Sequence, residues 1–565
     1  MPSLKWEGFL VPLALVWLAG ANGVFLRPWA AVTTAGVLGF LAWRRLTRGV
    51  RVGSPWLCLA GLCAWVGVSA LLQPVEWTRA AQLAAMGVAA LMLALVAAHP
   101  AGRAGLRGGV VVAGVGAAVW LVVERLAVPG RPAGPFANPN LAASLSVLAL
   151  ALLGFHRARW SGGLVPVLLA GVAASASRAA LVAVLVLAVA WLVLAAGARG
   201  RYLAGVLILG GIAVLAWRFA HDQDPLRFER WRIWQVAWNT AWAYFPWGAG
   251  PGGFGEAVLP HNFPREGEFA RFARVPDLAE NDGLQLAASL GLLGLALGIG
   301  LVASTLHQWW AKGWQALAPS AVILTTSAFH SQLLWPSLAF AAISAGRFSG
   351  RCRLKLPPLP ALLVVWPLAL WIAVALPWPD SGLGEVAGKA FGEVRATLIR
   401  AEGPEDLRRA LVAAEGLVRR QPRSGEAWRL LGLVQLRVAQ ASGEGSSAGA
   451  AVKAFRQAQA ANPKDVWGYL GEGEAWLALG QWERAQAAAG KALRVEPNCV
   501  RCWLVLADAQ LAAGATEQAR GALRQALLGQ RRSRGYPFVS RYERALASTD
   551  PVLQERLMRV LGERP

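Results

Sequence analysis

The stretch Arg227-Phe-Glu-Arg-Trp-Arg-Ile-Trp-Gln-Val-Ala-Trp238 opens a polar excursion in an otherwise apolar chain. Phe245-Pro-Trp-Gly-Ala-Gly-Pro-Gly-Gly-Phe254 turns it, and Ala279-Glu-Asn-Asp-Gly-Leu-Gln285 ends it. Directly beyond, Gly291-Leu-Leu-Gly294 lies inside a long apolar run. No other long polar interruption occurs before about Asp380, so this stretch reads as one large loop between hydrophobic spans. It carries a basic Trp-rich segment, a glycine-rich turn and an acid, and function is expected there.

The apolar runs on either side set the fold class. Of 565 residues, 56% are hydrophobic and 15% charged. Before Asp380 the apolar residues fall in runs close to the ~20 that cross a ~30 Å bilayer core as helix. Centres near Leu15, Gly36, Leu62, Ala89, Ala117, Leu148, Leu169, Leu187, Ile208, Leu295, Leu324, Ala341 and Leu370 predict an all-α, polytopic membrane bundle of about 12–13 spans. The first, with Lys5 and Ala19-Gly-Ala, resembles a signal peptide but is read as an uncleaved helix because spans follow at once.

The net charge of +23 sits largely in short loops. Arg44, Arg45, Arg48 and Arg51, then Arg103 and Arg107, Arg157 and Arg159, Arg199 and Arg201, Lys312, and Arg347 to Lys355 all fall on one side of the zigzag. Basic loops mark the cytoplasmic side. The loop 220–281, and everything after the last span, is therefore expected outside, in the periplasm of a Gram-negative cell. No nucleic-acid module accompanies the charge, which excludes nucleic acid as a partner. Five cysteines are too few for a disulfide scaffold. Cys58, Cys63 and Cys352 read as packing residues. Cys499 and Cys502 form a CxxC followed by Trp503 where haem attachment would need His; a redox pair or disulfide is the alternative to two small residues at a helix boundary.

After Asp380 the composition turns to Ala, Glu, Arg, Gln and Leu at helical spacing. Trp503, Leu506, Ala507, Gly514, Ala519, Leu523 and Ala526 follow the tetratricopeptide pattern, preceded by Tyr469, Gly473, Gly480, Ala485, Ala492 and Pro497. Pro463 and Pro497 are 34 residues apart, the period of that repeat. The expected layout is a membrane domain over 1–379 with the loop 220–281, a linker over 380–403, repeats over 404–545 and a tail helix over 546–565. Stacked repeats present a concave surface suited to a protein partner.

Several residues can carry chemistry. Trp231, Trp234, Trp238 and Trp242 share one helical face beside Arg227, Arg230 and Arg232, the pattern of a helix at the membrane interface. Arg178 opens a span on the outer side, where a guanidinium either snorkels or meets phosphate oxygens. Glu280, Asn281 and Asp282 stand where the loop re-enters the membrane. An acid there can serve as general base, and the same cluster can cap the next helix. Asp222 and Asp224 form a DxD, which reads first as loop-solvating acids rather than a metal site. His330 lies within a span, either functional or a hydrogen-bonded packing residue.

Taken together, these pieces resemble the O-antigen ligase and polymerase family. The segments concerned are Gly134-Pro-Phe-Ala-Asn-Pro-Asn140, Ser177-Arg178, Arg230 to Trp234 with Pro246 to Gly250, Glu280-Asn281 spaced nine residues from Gly291-Leu-Leu-Gly294, and His330 to Pro336. The resemblance covers roughly Phe136 to Gly346 and implies a GT-C-like membrane glycosyltransferase. Such an enzyme takes a glycan from undecaprenyl pyrophosphate and gives it to lipid A-core, a polysaccharide or a protein, with no metal and no cofactor. It implies Glu280 as base and Arg178 and Arg230 on the pyrophosphate. Asn138, Asn140, Arg232, Trp234, Gly248, Gly250, Asn281 and His330 would line the substrate site. Membrane lipids, and a periplasmic protein held by the repeats, complete the expected partners. One departure stands out: the ligases carry His where this chain has Glu280. The rival reading is a non-enzymatic transporter or scaffold.

Overall fold

A computed structural model describes residues 27–73, 77–128, 132, 139–153, 161–195, 197–221, 229–265, 267–276, 278–310, 319, 322–326, 352–375, 384–401, 403–538 and 540–563. The first half of the chain forms helices α1 (Arg27–Arg48), α2 (Ser54–Leu72), α3 (Trp77–Ala97), α4 (Pro100–Ala127), α5 (Pro139–Leu153), α6 (Ser161–Ser175), α7 (Arg178–Ala195) and α8 (Gly197–His221). Next come α9 (Glu229–Ala243), α10 (Phe254–Ala257), α11 (Asp282–Trp310) and α12 (Pro358–Ala375). The C-terminal part holds α13 (Gly384–Arg400), α14 (Pro404–Arg420), α15 (Gly425–Ser442), α16 (Gly445–Ala461), α17 (Val466–Ala478) and α18 (Trp482–Val495). It continues with α19 (Val500–Ala512), α20 (Thr516–Ser533), α21 (Arg541–Ala547) and α22 (Pro551–Leu561). The fold is all-α as expected, apart from strands β1 (Val50–Val52) and β2 (Cys352–Leu354), which pair antiparallel with Arg51 opposite Arg353.

Two compact units divide the chain. The first is the membrane unit. Ser54–Leu72, Gly102–Ala127 and Asp282–His307 are long and apolar enough to cross a bilayer, and five further apolar helices are shorter. Every expected span centre among the described residues falls in a helix; Leu15 and Ala341 lie outside them. Small residues let these helices approach: Ala118, Ala142, Ala143 and Ala149 have no exposed surface where α4, α5 and α6 meet. Large apolar side chains face outward instead, among them Leu71, Leu126, Leu209 and Leu370. Water would penalise such a surface, whereas lipid tails suit it.

The second unit joins the described parts of Gly382–Pro565 to those of Gly253–Asp277. Part of the loop assigned on sequence to the membrane domain thus folds with the repeats. Its helix pairs keep a strict register. Trp428 Nε1 donates to the Pro422 carbonyl at 2.8 Å, Tyr469 Oη to that of Pro463 at 3.4 Å, and Trp503 Nε1 to that of Pro497 at 2.9 Å. Each repeat thereby ties an aromatic to the proline turn before it, which explains the Pro and Trp/Tyr signature. The segment read as a linker, 380–403, contains α13, whose Val394 is buried with Ala410, Ala414 and Leu417. The Gly/Ser insertion supplies the left-handed cap Gly443 of α15 and the first turn of α16. The tail helix is α22, and Leu557 and Leu561 pack it on α20.

Cys499 and Cys502 do stand at a helix boundary, and they are joined there as a disulfide, the alternative reading of the CxxC. Both are fully buried. Cys499 starts α19, where its Sγ also accepts the Cys502 amide N–H, so the cap geometry brings the two sulfurs together.

Candidate functional site

Three of the expected site residues, Glu280, Asn281 and Trp234, meet where the loop enters α11 in the membrane unit. Asn281 is the N-cap of α11: its Oδ1 accepts the Leu284 amide at 2.9 Å and its carbonyl accepts that of Gln285 at 2.9 Å. The capping role thus belongs to Asn281. Glu280 precedes it in a left-handed conformation, φ 52°, which costs a non-glycine residue about 1–3 kcal/mol. Three contacts enforce it. The Gln285 Oε1 accepts the Ala279 amide at 2.8 Å, Gln285 Nε2 donates to Ser289 Oγ at 2.9 Å, and the Trp234 indole donates to the Glu280 carbonyl at 3.3 Å.

Trp234 comes from α9, which packs on α11 and buries Val236, Ala237 and Thr240. Its other tryptophans point away. Trp231, Trp238 and Trp242 are each more than half exposed, with Trp238 edge-on to Trp242 at 5.7 Å. The stripe therefore splits into one inward indole and three outward ones, and the outward face suits lipid headgroups. Arg230 is half-buried and Arg232 exposed on the same helix.

The glycine-rich turn and the Gly291 motif interlock. α11 breaks at Gly291, φ 66° and ψ −159°, and this frees carbonyls that the helix would otherwise use. The Ala249 amide donates to Ala288 O at 2.8 Å, Gly250 N to Ser289 O at 2.9 Å, and Leu292 N to Pro246 O at 2.8 Å. Trp65 of α2 donates to Leu290 O at 2.8 Å and lies 6.3 Å from the Trp247 ring. A Cβ on Gly248 would fall 2.5 Å from the Gly291 nitrogen, and one on Gly291 would fall 2.1 Å from the Pro246 oxygen. Glycine is required at both positions by contact and by positive φ. The nine-residue spacing from Asn281 to Gly291 is thus one short helix between a cap and a break. Trp65 had no signal in the sequence, because its role depends on α2 packing against α11.

Arg178 is the first residue of α7, after a tight turn from α6. Ala176 there has φ 51°; with Glu280 it is one of two non-glycine residues at positive φ among the described residues. Ser175 and Ser177 are fully buried and tie the turn: Ser175 Oγ donates to Val172 O at 2.6 Å and accepts the Ser177 amide at 3.1 Å. Arg178 itself is exposed. Asn140 sits in the first turn of α5, where its carbonyl accepts Ser144 Oγ at 2.8 Å. Asn138, Asp222, Asp224, Arg227 and His330 lie outside the described residues. Glu280, Asn281 and Trp234 are thus brought together at the start of α11, whereas Gly248 and Gly250 meet the same helix further along, at residues 288–291; Arg230 and Arg232 stand on the adjoining α9, Arg178 on α7 and Asn140 on α5.

The O-antigen ligase family model matches residues 163–299. That span contains Arg178, α9, the glycine turn, Glu280 and the Gly291 break. It is narrower than the resemblance over Phe136 to Gly346, and Asn138, Asn140 and His330 fall outside it. No curated protein matches the chain. Among solved structures, a crystal structure of MamA protein is 17% identical, covering 31% of this chain and 87% of its own, with a TM-score of 0.23. A second crystal structure of MamA is 20% identical over 28% of this chain and 98% of its own, with a TM-score of 0.22.

Proposed function

We propose that this membrane protein, whose residues 163–299 match the O-antigen ligase family model, transfers a glycan from undecaprenyl pyrophosphate to an acceptor hydroxyl during surface glycan assembly. The acceptor oxygen attacks the anomeric carbon, the bond from that carbon to the pyrophosphate oxygen breaks, and the hydroxyl proton passes to the Glu280 carboxylate. A single displacement of this kind inverts the anomeric centre. Arg178 and Arg230 offset the charge that grows on the departing pyrophosphate, a large term where cations are preorganised. The exposed tryptophans of α9 hold the loop at the headgroup layer, where the polyprenyl donor resides.

The observation that supports this reading is the fixing of Glu280. Its backbone is strained, and both neighbours and its own carbonyl are tied, inside the span matched by the ligase family. Strained positions that their surroundings over-determine cluster at active sites. The test is transfer from purified undecaprenyl-pyrophosphate glycan in proteoliposomes with a chelator present. Glu280→Gln should lose about 10²–10⁴-fold in turnover, the usual scale for general-base catalysis. Arg178→Lys and Arg230→Lys keep charge but lose the bidentate fork, so each should fall sharply without loss of expression. Near-normal turnover in Glu280→Gln would remove the base assignment, full activity in both lysine variants would remove the arginines from the pyrophosphate, and no transfer by the parent chain would return the scaffold reading. Lipid A-core, polysaccharide and protein acceptors are compared in the same assay.

A further inference from the structure

The second unit holds part of the site loop in an unusual grip. Glu496 has no exposed surface, and its carboxylate accepts the backbone N–H of Arg271 and of Phe272, both at 2.9 Å, and the Tyr542 hydroxyl at 3.3 Å. Asn498 Nδ2 donates to the Phe269 carbonyl at 2.8 Å. The Phe269 ring is buried with Leu470, Cys499 and Cys502 and lies 5.2 Å from Tyr536 and 5.3 Å from Phe538. Glu496 ends α18, as Gln421 ends α14 and Asn462 ends α16. Those two are neutral amides, and Asn462 stays local, accepting the Lys464 amide. A turn in this register is thus made without an acid, and burying a carboxylate is costly unless something is hydrogen-bonded to it. The two loop amides supply that partner.

The gripped segment lies between the two halves of the site. The chain leaves the site at Gly250, passes through Phe269 to Phe272, and returns at Glu280. The loop is braced across itself on the way: Arg265 N donates to Arg271 O at 2.9 Å and Asn262 Nδ2 to Arg274 O at 3.2 Å. We propose that the repeat unit is a clamp on this loop, with Glu496 and Asn498 as positioning residues that hold its main chain and so restrain the ends bearing Gly248, Gly250 and Glu280. The link to turnover rests on the proposed reaction; the restraint does not.

The test uses the full chain in lipid nanodiscs, with Glu496→Gln, which cannot accept both amides, and Asn498→Ala. Helicity and melting are recorded first, so that unfolding is seen if it occurs. Hydrogen exchange over 268–274, 246–252 and 278–285 should accelerate about tenfold, the equilibrium effect of roughly one lost hydrogen bond. Donor turnover at saturation should fall by a similar factor with KM nearly unchanged. Faster exchange confined to 268–274, with both ends as in the parent, would overturn the clamp. Faster exchange at the ends together with no turnover even in the parent chain would uphold the clamp and reject the reaction.

Discussion

Glu280, just ahead of α11, and Gly291, inside it, both take a positive φ. Gly291 is where α11 must break so that the turn 246–250 can bond to its carbonyls. Gly291→Ala would place a methyl 2.1 Å from the Pro246 carbonyl oxygen at a φ of 66°, so backbone has to move. Melting of the detergent-solubilised protein should show a loss of at least the ~1–3 kcal/mol that such strain costs. An unchanged melting temperature would mean that the interlock is not what holds the turn. Glu280 takes a positive φ without being a glycine, held by the Trp234 bond to its carbonyl and the Gln285 bond to Ala279. Glu280→His places there the residue that the ligases carry. Histidine has the higher intrinsic basicity, so measurable transfer with a pH optimum above that of the parent is expected. A pH–rate profile in proteoliposomes decides it, and an inactive variant or an unmoved optimum counts against a proton-accepting role.

At the scale of elements, the helices follow from periodicity while the partners of their ends do not. The spacing of Trp231, Trp234, Trp238 and Trp242 shows a helix, but only its packing on α11 separates Trp234 from the outward three. Glu280-Asn281 and Gly291 were visible as spaced motifs, yet which residue caps and which is strained depends on tertiary bonds to Gln285 and Trp234. Local patterning also hid the helix α13 and the β1–β2 pair, because each is defined by what lies opposite. The repeats were legible because each turn is self-contained, Asp465 and Cys499 capping α17 and α19 one period apart. Their interior carries a testable charge. Glu472 is buried, which alone would raise its pKa, but hydrogen bonds from Gln459, Arg456 and Trp476 outweigh this and hold it below the usual 4.5. A depressed carboxylate contributes stability above its unfolded pKa and loses it as pH falls through the folded one. Glu472→Gln should cost about 1.5–3 kcal/mol at neutral pH, the worth of bonds to a charged group. The Arg456 share is reduced by solvent, since that side chain is 60% exposed. Melting across pH should show the two proteins converging below 4.5; a constant gap would place the effect in packing.

Across the whole molecule, two packings constrain how the chain is threaded. Strands β1 and β2 put Arg51 opposite Arg353, so the basic clusters after α1 and before α12 share one side. Like charges directly across a strand pair are unfavourable in isolation; here topology sets the side, as basic loops do. The segment 253–276 folds into the repeats through Glu496, Asn498 and Phe269, and no bilayer can separate it from them. Loop and repeats must therefore share a side, whichever it is. The alternation of basic loops leads to the expectation that this side is the one opposite β1. Single cysteines at Gly267, Gly443 and Arg51, all exposed, in a background lacking Cys58, Cys63 and Cys352, separate the two statements. A membrane-impermeant maleimide applied to spheroplasts should label Gly267→Cys and Gly443→Cys and leave Arg51→Cys until the membrane is opened. Labelling of Arg51→Cys alone would invert the orientation while leaving loop and repeats together. Opposite behaviour of Gly267→Cys and Gly443→Cys would be incompatible with the carboxylate of Glu496 ever meeting the loop, and the clamp and the shared side would fail together.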